Sequence, residues 1–467
     1  MNHDTFFFFL LLSARVMLKS GAASARGGAV LLAFRACFLA AVAPQSFFLL
    51  AALTVLNFYL GHCLDLAARE GRVSSFFYPA LFLNIFPLFF LKYGNFLSSG
   101  KTSDLLIPLG ISFYTFSNLS YLIDISRGVS RAETHWGHFA AYSFFFPKLA
   151  SGPIDRAVDF LPQLKQDLVR DETKYREGVQ LLFIGLMKKF IVADALYLLV
   201  RPVFLSPKGY SAASLAATAV FARYYIYSDF SAYTDIARGS AKMLGLELSE
   251  NFRKPFWSRS IVEFWQRWHI SLSTWIRDYL YFPLISSPFS KLGNTFLILV
   301  SFVFLGLWHG ATLNFVCYGV VNGLAIIATL KSKGLRSAWA RKSGLDRFPL
   351  VQSFLQVMVV LLFVCATTIL FMSKGILDAL GIYGTIARGF LLGRGGGSSV
   401  PLMGSLKAFF LVVAMEGLAF ANQKFLLLPK IASANYRVRW LVYLVFLMSL
   451  LVLGNTKESS RFLYFQY

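Results

Sequence analysis

Acidic residues are scarce in this sequence: 23 Asp and Glu stand against 45 Lys and Arg among 467 residues, and charged residues of both signs make up only 15%. With 57% hydrophobic residues and a mean hydropathy of +0.60, such a chain is not a soluble protein of two or three domains. It is poor in cysteine as well. Cys37, Cys63, Cys317 and Cys365 lie dispersed in apolar segments with no CxxC spacing and no flanking His suited to a metal, so they read as small core residues. No H-E-x-x-H is present to hold zinc, and no G-x-S-x-G offers a serine nucleophile. No P-loop or GxGxxG opens a helix, which leaves nucleotide hydrolysis and hydride transfer without support. The roughly ten-residue alternation of a membrane β-barrel is missing too. No metal is expected.

What is present is a series of long apolar runs, near residues 5–18, 29–43, 45–66, 76–98, 105–125, 138–152, 178–203, 211–228, 295–330, 350–373, 402–428 and 438–454. Several have the 17 to 25 residues needed to cross about 30 Å of hydrocarbon. The sequence therefore predicts an all-α polytopic membrane protein of roughly ten to twelve passes, some of them too short to cross unaided and so tilted, re-entrant or buried. The first run lacks a basic leader region and an A-x-A site, and it is expected to be a short membrane helix rather than a removed signal. The formal charge of +22 sits mostly between the apolar runs. That pattern sets orientation and does not indicate nucleic acid. Two basic connectors, 156–189 (including Lys188 and Lys189) and 331–347, are expected on the cytoplasmic side, where they would also attract an anionic donor.

One segment breaks the spanning pattern. Residues 251–284, "NFRKPFWSRSIVEFWQRWHISLSTWIRDYLYFPL", hold too many charges for a span. On a helical wheel Glu263, Gln266, Arg267, Thr274, Arg277 and Asp278 fill one sector and aromatic residues the opposite one. This predicts an amphipathic helix at the interface or lining a polar cavity, with Glu263 and Arg267 paired. His269 falls at the edge of the apolar sector and should face protein, either as a core histidine bonded to a carbonyl or as a functional one. His309 lies deep in "FVFLGLWHGATLNF", with no charged residue from Leu292 to Leu330. An ionisable group there is costly and points to function, as a neutral imidazole able to accept a proton. In "YYIYSDFSAYTDIARG" (224–239), Asp229 and Tyr233 lie one turn apart and Asp235 can pair with Arg238. These carboxylates serve either structural pairing or the orientation of an imidazole.

The stretches "FLKYGNF" (90–96), "PLGISFYTFSNLSYLID" (108–124), "FFPKLASGPIDR" (145–156), "YSDFSAYTDIARGSAKMLGLELSENFRKPF" (227–256), "EFWQRWHISLSTWIRDYLYFPL" (263–284) and "GLWHGATLNFVCYG" (306–319) resemble, in order, the membrane-bound O-acyltransferase family. The similarity is to its bacterial branch of alginate and peptidoglycan O-acetyltransferases. It implies a ring of helices around a thinned centre where a funnel from each side meets. It also implies that His309, in the W-H-G motif, is catalytic and that His269, in R-W-H-x-S-L-S, is its partner in the chamber.

The same resemblance bears on the closing "RFLYFQY". Proteins of this branch tend to end in a short aromatic tail whose tyrosine enters the chamber and receives the acyl group, which maps the carrier role onto Tyr464. The alternative is an interfacial aromatic anchor. The expected organisation is a polytopic domain over 1–454 and an aromatic tail over 455–467. The expected activity is transfer of an acyl group, acetyl from cytosolic acetyl-CoA as donor substrate, across a bacterial inner membrane to an extracytoplasmic polysaccharide or peptidoglycan. No SGNH-type domain follows, so a separate SGNH-type transferase is expected as partner beside membrane lipid and the glycan acceptor. Residues that bind the donor are not identified by the sequence. D-alanyl transfer by the same fold and a glycan transporter or scaffold are the competing readings; no inverted repeat or chain of intramembrane carboxylates supports the transporter.

Overall fold

A computed structural model describes residues 44–97, 110–166, 171–393, 397–425 and 427–454, together with Ser460, Phe462 and Leu463. Helices dominate because in hydrocarbon only a helix or a closed barrel satisfies its own backbone. Among the described residues six helices are long and apolar enough to cross a membrane. They belong to Pro44–Arg69, Phe77–Leu97, Leu313–Lys331, Pro349–Met372, Leu402–Phe425 and Tyr436–Leu453. Their outer faces carry large apolar side chains such as Phe82, Phe86, Leu362, Leu444 and Leu451, and the helix Tyr436–Leu453 has no buried residue. Contiguous apolar surface on this scale is what lipid covers. The chain is an all-α polytopic membrane protein; the runs near 5–18 and 29–43 lie outside the described residues.

Within this belt runs the long helix Ala212–Met243, 32 residues of which most are buried. It packs against Glu172–Met187, Asp194–Leu205, Pro349–Met372 and Ile376–Leu392. Its approach to Glu172–Met187 is close enough that a Cβ on Gly178 would meet the Gly239 carbonyl, and one on Gly185 the Ala232 carbonyl. Small residues let helix backbones touch where lipid offers no hydrophobic drive. The interior so formed is unusually polar, with Asp229, Ser228, Ser231, Thr234 and Arg223 all buried on the long helix.

Three expectations about continuity are corrected. The apolar run 295–330 is two helices, Asn294–His309 and Leu313–Lys331, because Gly310 and Thr312 take extended backbone between them. The two pack as a hairpin in which Gly306 faces the Phe315 carbonyl and Gly319 the Phe302 carbonyl, leaving no room for a Cβ at either. The run 178–203 contains a π-helical turn, Lys188–Ala193, between Glu172–Met187 and Asp194–Leu205. The amphipathic segment 251–284 is likewise not one helix: Ile261–Arg267 and Ile270–Ile276 are separated at Trp268 and His269, and a second π turn, Arg277–Tyr281, follows. The Glu263–Arg267 ion pair forms as expected, at 2.5 Å.

Candidate active site

His309 is the last residue of Asn294–His309. The final carbonyls of a helix have no partner within it. Here two are taken up by the distant span Phe77–Leu97: Lys92 Nζ donates to the Trp308 carbonyl and the Tyr93 hydroxyl to the Leu307 carbonyl. A cation at a helix C-terminus is also favourable for the helix dipole. The "FLKYGNF" and "GLWHGATLNF" stretches thus meet, and the helix end that carries His309 is fixed. Around the imidazole stand Phe371, Phe315 and Tyr318, at ring-centroid distances of 4.9, 6.1 and 6.1 Å.

His269 approaches the same place from another element. Its ring is 5.9 Å from that of Trp308, which is in turn 4.7 Å from that of His309. The two imidazoles therefore share one indole and lie no further apart than those two distances combined. Phe230 of the long helix packs edge-on against His269 at 4.7 Å, and Phe113 contacts both His269 and Trp308. Two histidines separated by forty residues in sequence are brought together, both buried.

The backbone of His269 is in the left-handed region, φ 45° and ψ 54°. For a residue with a Cβ this costs roughly 1–2 kcal/mol. What enforces it is a local clamp on Asn251. Its carbonyl accepts from Ile270 N–H at 3.0 Å, and its Oδ1 accepts from Ser271 N–H and Oγ–H at 3.2 and 2.6 Å. Arg253 N–H donates to the Arg267 carbonyl at 3.0 Å, and Ile154 N–H to Ser271 Oγ at 3.0 Å. Strain held this firmly beside a candidate site is a marker of function. It has a measurable consequence: His269→Gly should be more stable than His269→Ala by about 1 kcal/mol, the reverse of the usual order, because only glycine is at ease at this φ. Thermal unfolding of the two variants checks this, and an Ala variant at least as stable as the Gly one contradicts the left-handed assignment.

The carboxylates of the long helix have other partners than expected. Asp235 pairs with Lys188 at 2.7 Å rather than with Arg238. Asp229 Oδ1 accepts from Lys189 Nζ at 2.8 Å and its Oδ2 from the Leu463 N–H at 2.7 Å. Lys189, expected as part of a basic connector on the cytoplasmic side, is fully buried, because the π turn points it into the bundle between Asp194 and Asp229. Tyr464 lies outside the described residues. Its neighbours Ser460, Phe462 and Leu463 are buried among the helices.

Sequence reasoning missed Lys92, Trp308, Lys189 and Asp194. A signal existed for the last two, since "LMKKFIVADAL" places a lysine and an aspartate five residues apart inside an apolar run.

The family model described as MBOAT, membrane-bound O-acyltransferase family, matches residues 91–373, which include both histidines. The chain is 37% identical over 296 residues to a protein of Pseudomonas aeruginosa named probable alginate O-acetylase AlgI, covering 59% of this chain and 55% of that one. It is 30% identical over 290 residues to the teichoic acid D-alanyltransferase of Streptococcus thermophilus, covering 58% and 69%. It is also 30% identical over 290 residues to the peptidoglycan O-acetyltransferase of Helicobacter pylori, covering 56% and 54%. The chain spans between about half and three-fifths of the length of the alginate relatives it matches.

Proposed function

Because the chain belongs to the membrane-bound O-acyltransferase family, we propose that it is an O-acyltransferase that moves acetyl from cytosolic acetyl-CoA across the inner membrane toward an extracytoplasmic polysaccharide or peptidoglycan. The observation that carries this reading is the meeting of His269 and His309 at Trp308 in the protein interior. The relatives named for alginate and peptidoglycan O-acetylation supply the acetyl group and the glycan class.

In this account Tyr464 is the first acceptor. A phenol of pKa about 10 is a weak nucleophile until a base removes its proton. Neutral His309 takes that proton as the phenolic oxygen bonds to the thioester carbonyl carbon. The tetrahedral intermediate then collapses, the C–S bond breaks, and the CoA sulfur leaves with the proton returned from His309. His269 flanks the reaction across Trp308 as the second imidazole. The aryl ester so formed remains reactive, because phenolate leaves readily, and a separate SGNH-type transferase passes the acetyl to a sugar hydroxyl.

A second reading, transfer of D-alanyl by the same machinery, has the named D-alanyltransferase relative in its favour. Purified protein in detergent, supplied with isotopically labelled acetyl-CoA, is expected to release CoA faster than an otherwise identical His309→Gln sample. If acetyl-CoA is untouched while an alanyl donor is consumed, the second reading replaces the first. If both donors are untouched in the presence of a candidate partner, acyl transfer itself is in question.

A further inference from the structure

We propose that Lys189, Asp194 and Asp229 form a buried receptor for the chain's own C-terminal segment, which they dock through Ser460, Phe462 and Leu463 and so position Tyr464 for reaction. All three charged side chains are at most 1% exposed. Lys189 Nζ has three hydrogens and three acceptors: Asp229 Oδ1 at 2.8 Å, Asp194 Oδ1 at 3.0 Å and Ser460 Oγ at 2.9 Å. One cation faces two carboxylates, so lysine alone cannot satisfy the oxygens. The segment supplies further donors: Leu463 N–H to Asp229 Oδ2 at 2.7 Å, which Lys189 does not reach, and Ser460 Oγ–H and N–H to Asp194 Oδ1 at 2.8 and 3.3 Å, the oxygen that Lys189 also bonds. Buried charge is tolerable only when paired and hydrogen-bonded, so the cluster and the segment need one another.

Apolar contacts complete the dock. The Phe462 ring stands edge-on to Tyr233 at 5.2 Å and beneath the Lys189 ammonium at 4.8 Å, and Leu463 joins the same apolar core as Trp308 and Phe230. The π turn at Lys188–Ala193 is what aims Lys189 inward, and such turns recur at functional positions. The register is informative. Asp229, which holds the Leu463 amide, precedes Phe230, the residue packed on His269. The residue after Leu463 is Tyr464. Two bonds to backbone amides, which no side-chain substitution short of proline removes, hold Ser460 and Leu463 against Asp194 and Asp229.

This inference rests on the carrier role proposed for Tyr464, and hydrogen exchange separates the two. In the intact protein the peptide from Ser460 to Tyr467 is expected to show protected amides. Asp229→Ala should speed that exchange by roughly tenfold or more, and the acetyl recovered on Tyr464 should fall with it. Leu463→Pro removes the donor to Asp229 together with the buried Leu463 side chain and changes no residue of the helix bundle, so it should give the same result even if Asp229→Ala misfolds. Tyr464→Phe should leave the protection at its wild-type level. Exchange at the free-peptide rate in the wild type, or unchanged protection in folded Asp229→Ala and in Leu463→Pro, overturns the receptor. Protection that behaves as stated with no acetyl on wild-type Tyr464 supports the receptor and overturns the carrier role.

Discussion

Replacing His309 by glutamine is expected to lower acetyl transfer by roughly 10²–10⁴-fold, the contribution of a positioned general base. Glutamine is chosen because it fills the site and keeps a hydrogen-bonding end but cannot accept a proton. The loss should appear in kcat, since the proton moves only as the phenol attacks. The surroundings argue that the side chain is held for this task. Phe371, Phe315 and Tyr318 pack against the imidazole as one aromatic cluster, and Lys92 and Tyr93 tie the carbonyls just before it. Steady-state release of CoA, with the helix content and thermal unfolding of the variant compared to wild type, checks the point. A folded variant with a loss smaller than about tenfold would remove His309 from the role of base.

Tyr464→Phe deletes a single oxygen and is expected to reduce acetyl delivery to the acceptor by on the order of 10³-fold or more, as loss of a nucleophile does. The described contacts of Ser460, Phe462 and Leu463 with the bundle are unchanged in this variant, and thermal unfolding is expected at the wild-type temperature. Water remains as a poor alternative acceptor, so slow release of CoA dependent on His309 should persist in this variant. Comparing CoA release with acetyl delivered to a glycan therefore separates Tyr464 from His309. Delivery at the wild-type rate in Tyr464→Phe would mean that the acetyl group reaches its acceptor without the tail.

The contrast between the two histidines shows what was legible in sequence. His309 stood out because thirty-odd residues around it carry no charge, and an imidazole in such a run has a cost that composition alone reveals. That it ends a helix instead of sitting mid-span was hidden, since periodicity does not register a break made by Gly310 and Thr312 inside uniformly apolar sequence. For His269 the helical wheel gave a buried imidazole for the wrong reason. The residue faces inward because Asn251 interrupts the helix and turns the backbone left-handed, a tertiary constraint that no local pattern carries. Lys189 falls at the end of the stretch 156–189, which its run of basic residues marks as a cytoplasmic connector. The π turn and Asp194, which overrule that assignment, lie in one stretch of chain, but Asp229 comes from another, the long helix Ala212–Met243.

The measurement that bears most directly on the account is peptide mass spectrometry of the purified protein after incubation with isotopically labelled acetyl-CoA, comparing wild type, His309→Gln and Tyr464→Phe. Labelled acetyl is expected on the C-terminal peptide of the wild type, on Tyr464, and none on that peptide in either variant. Consumption of acetyl-CoA by the wild type with no label on Tyr464 would contradict it.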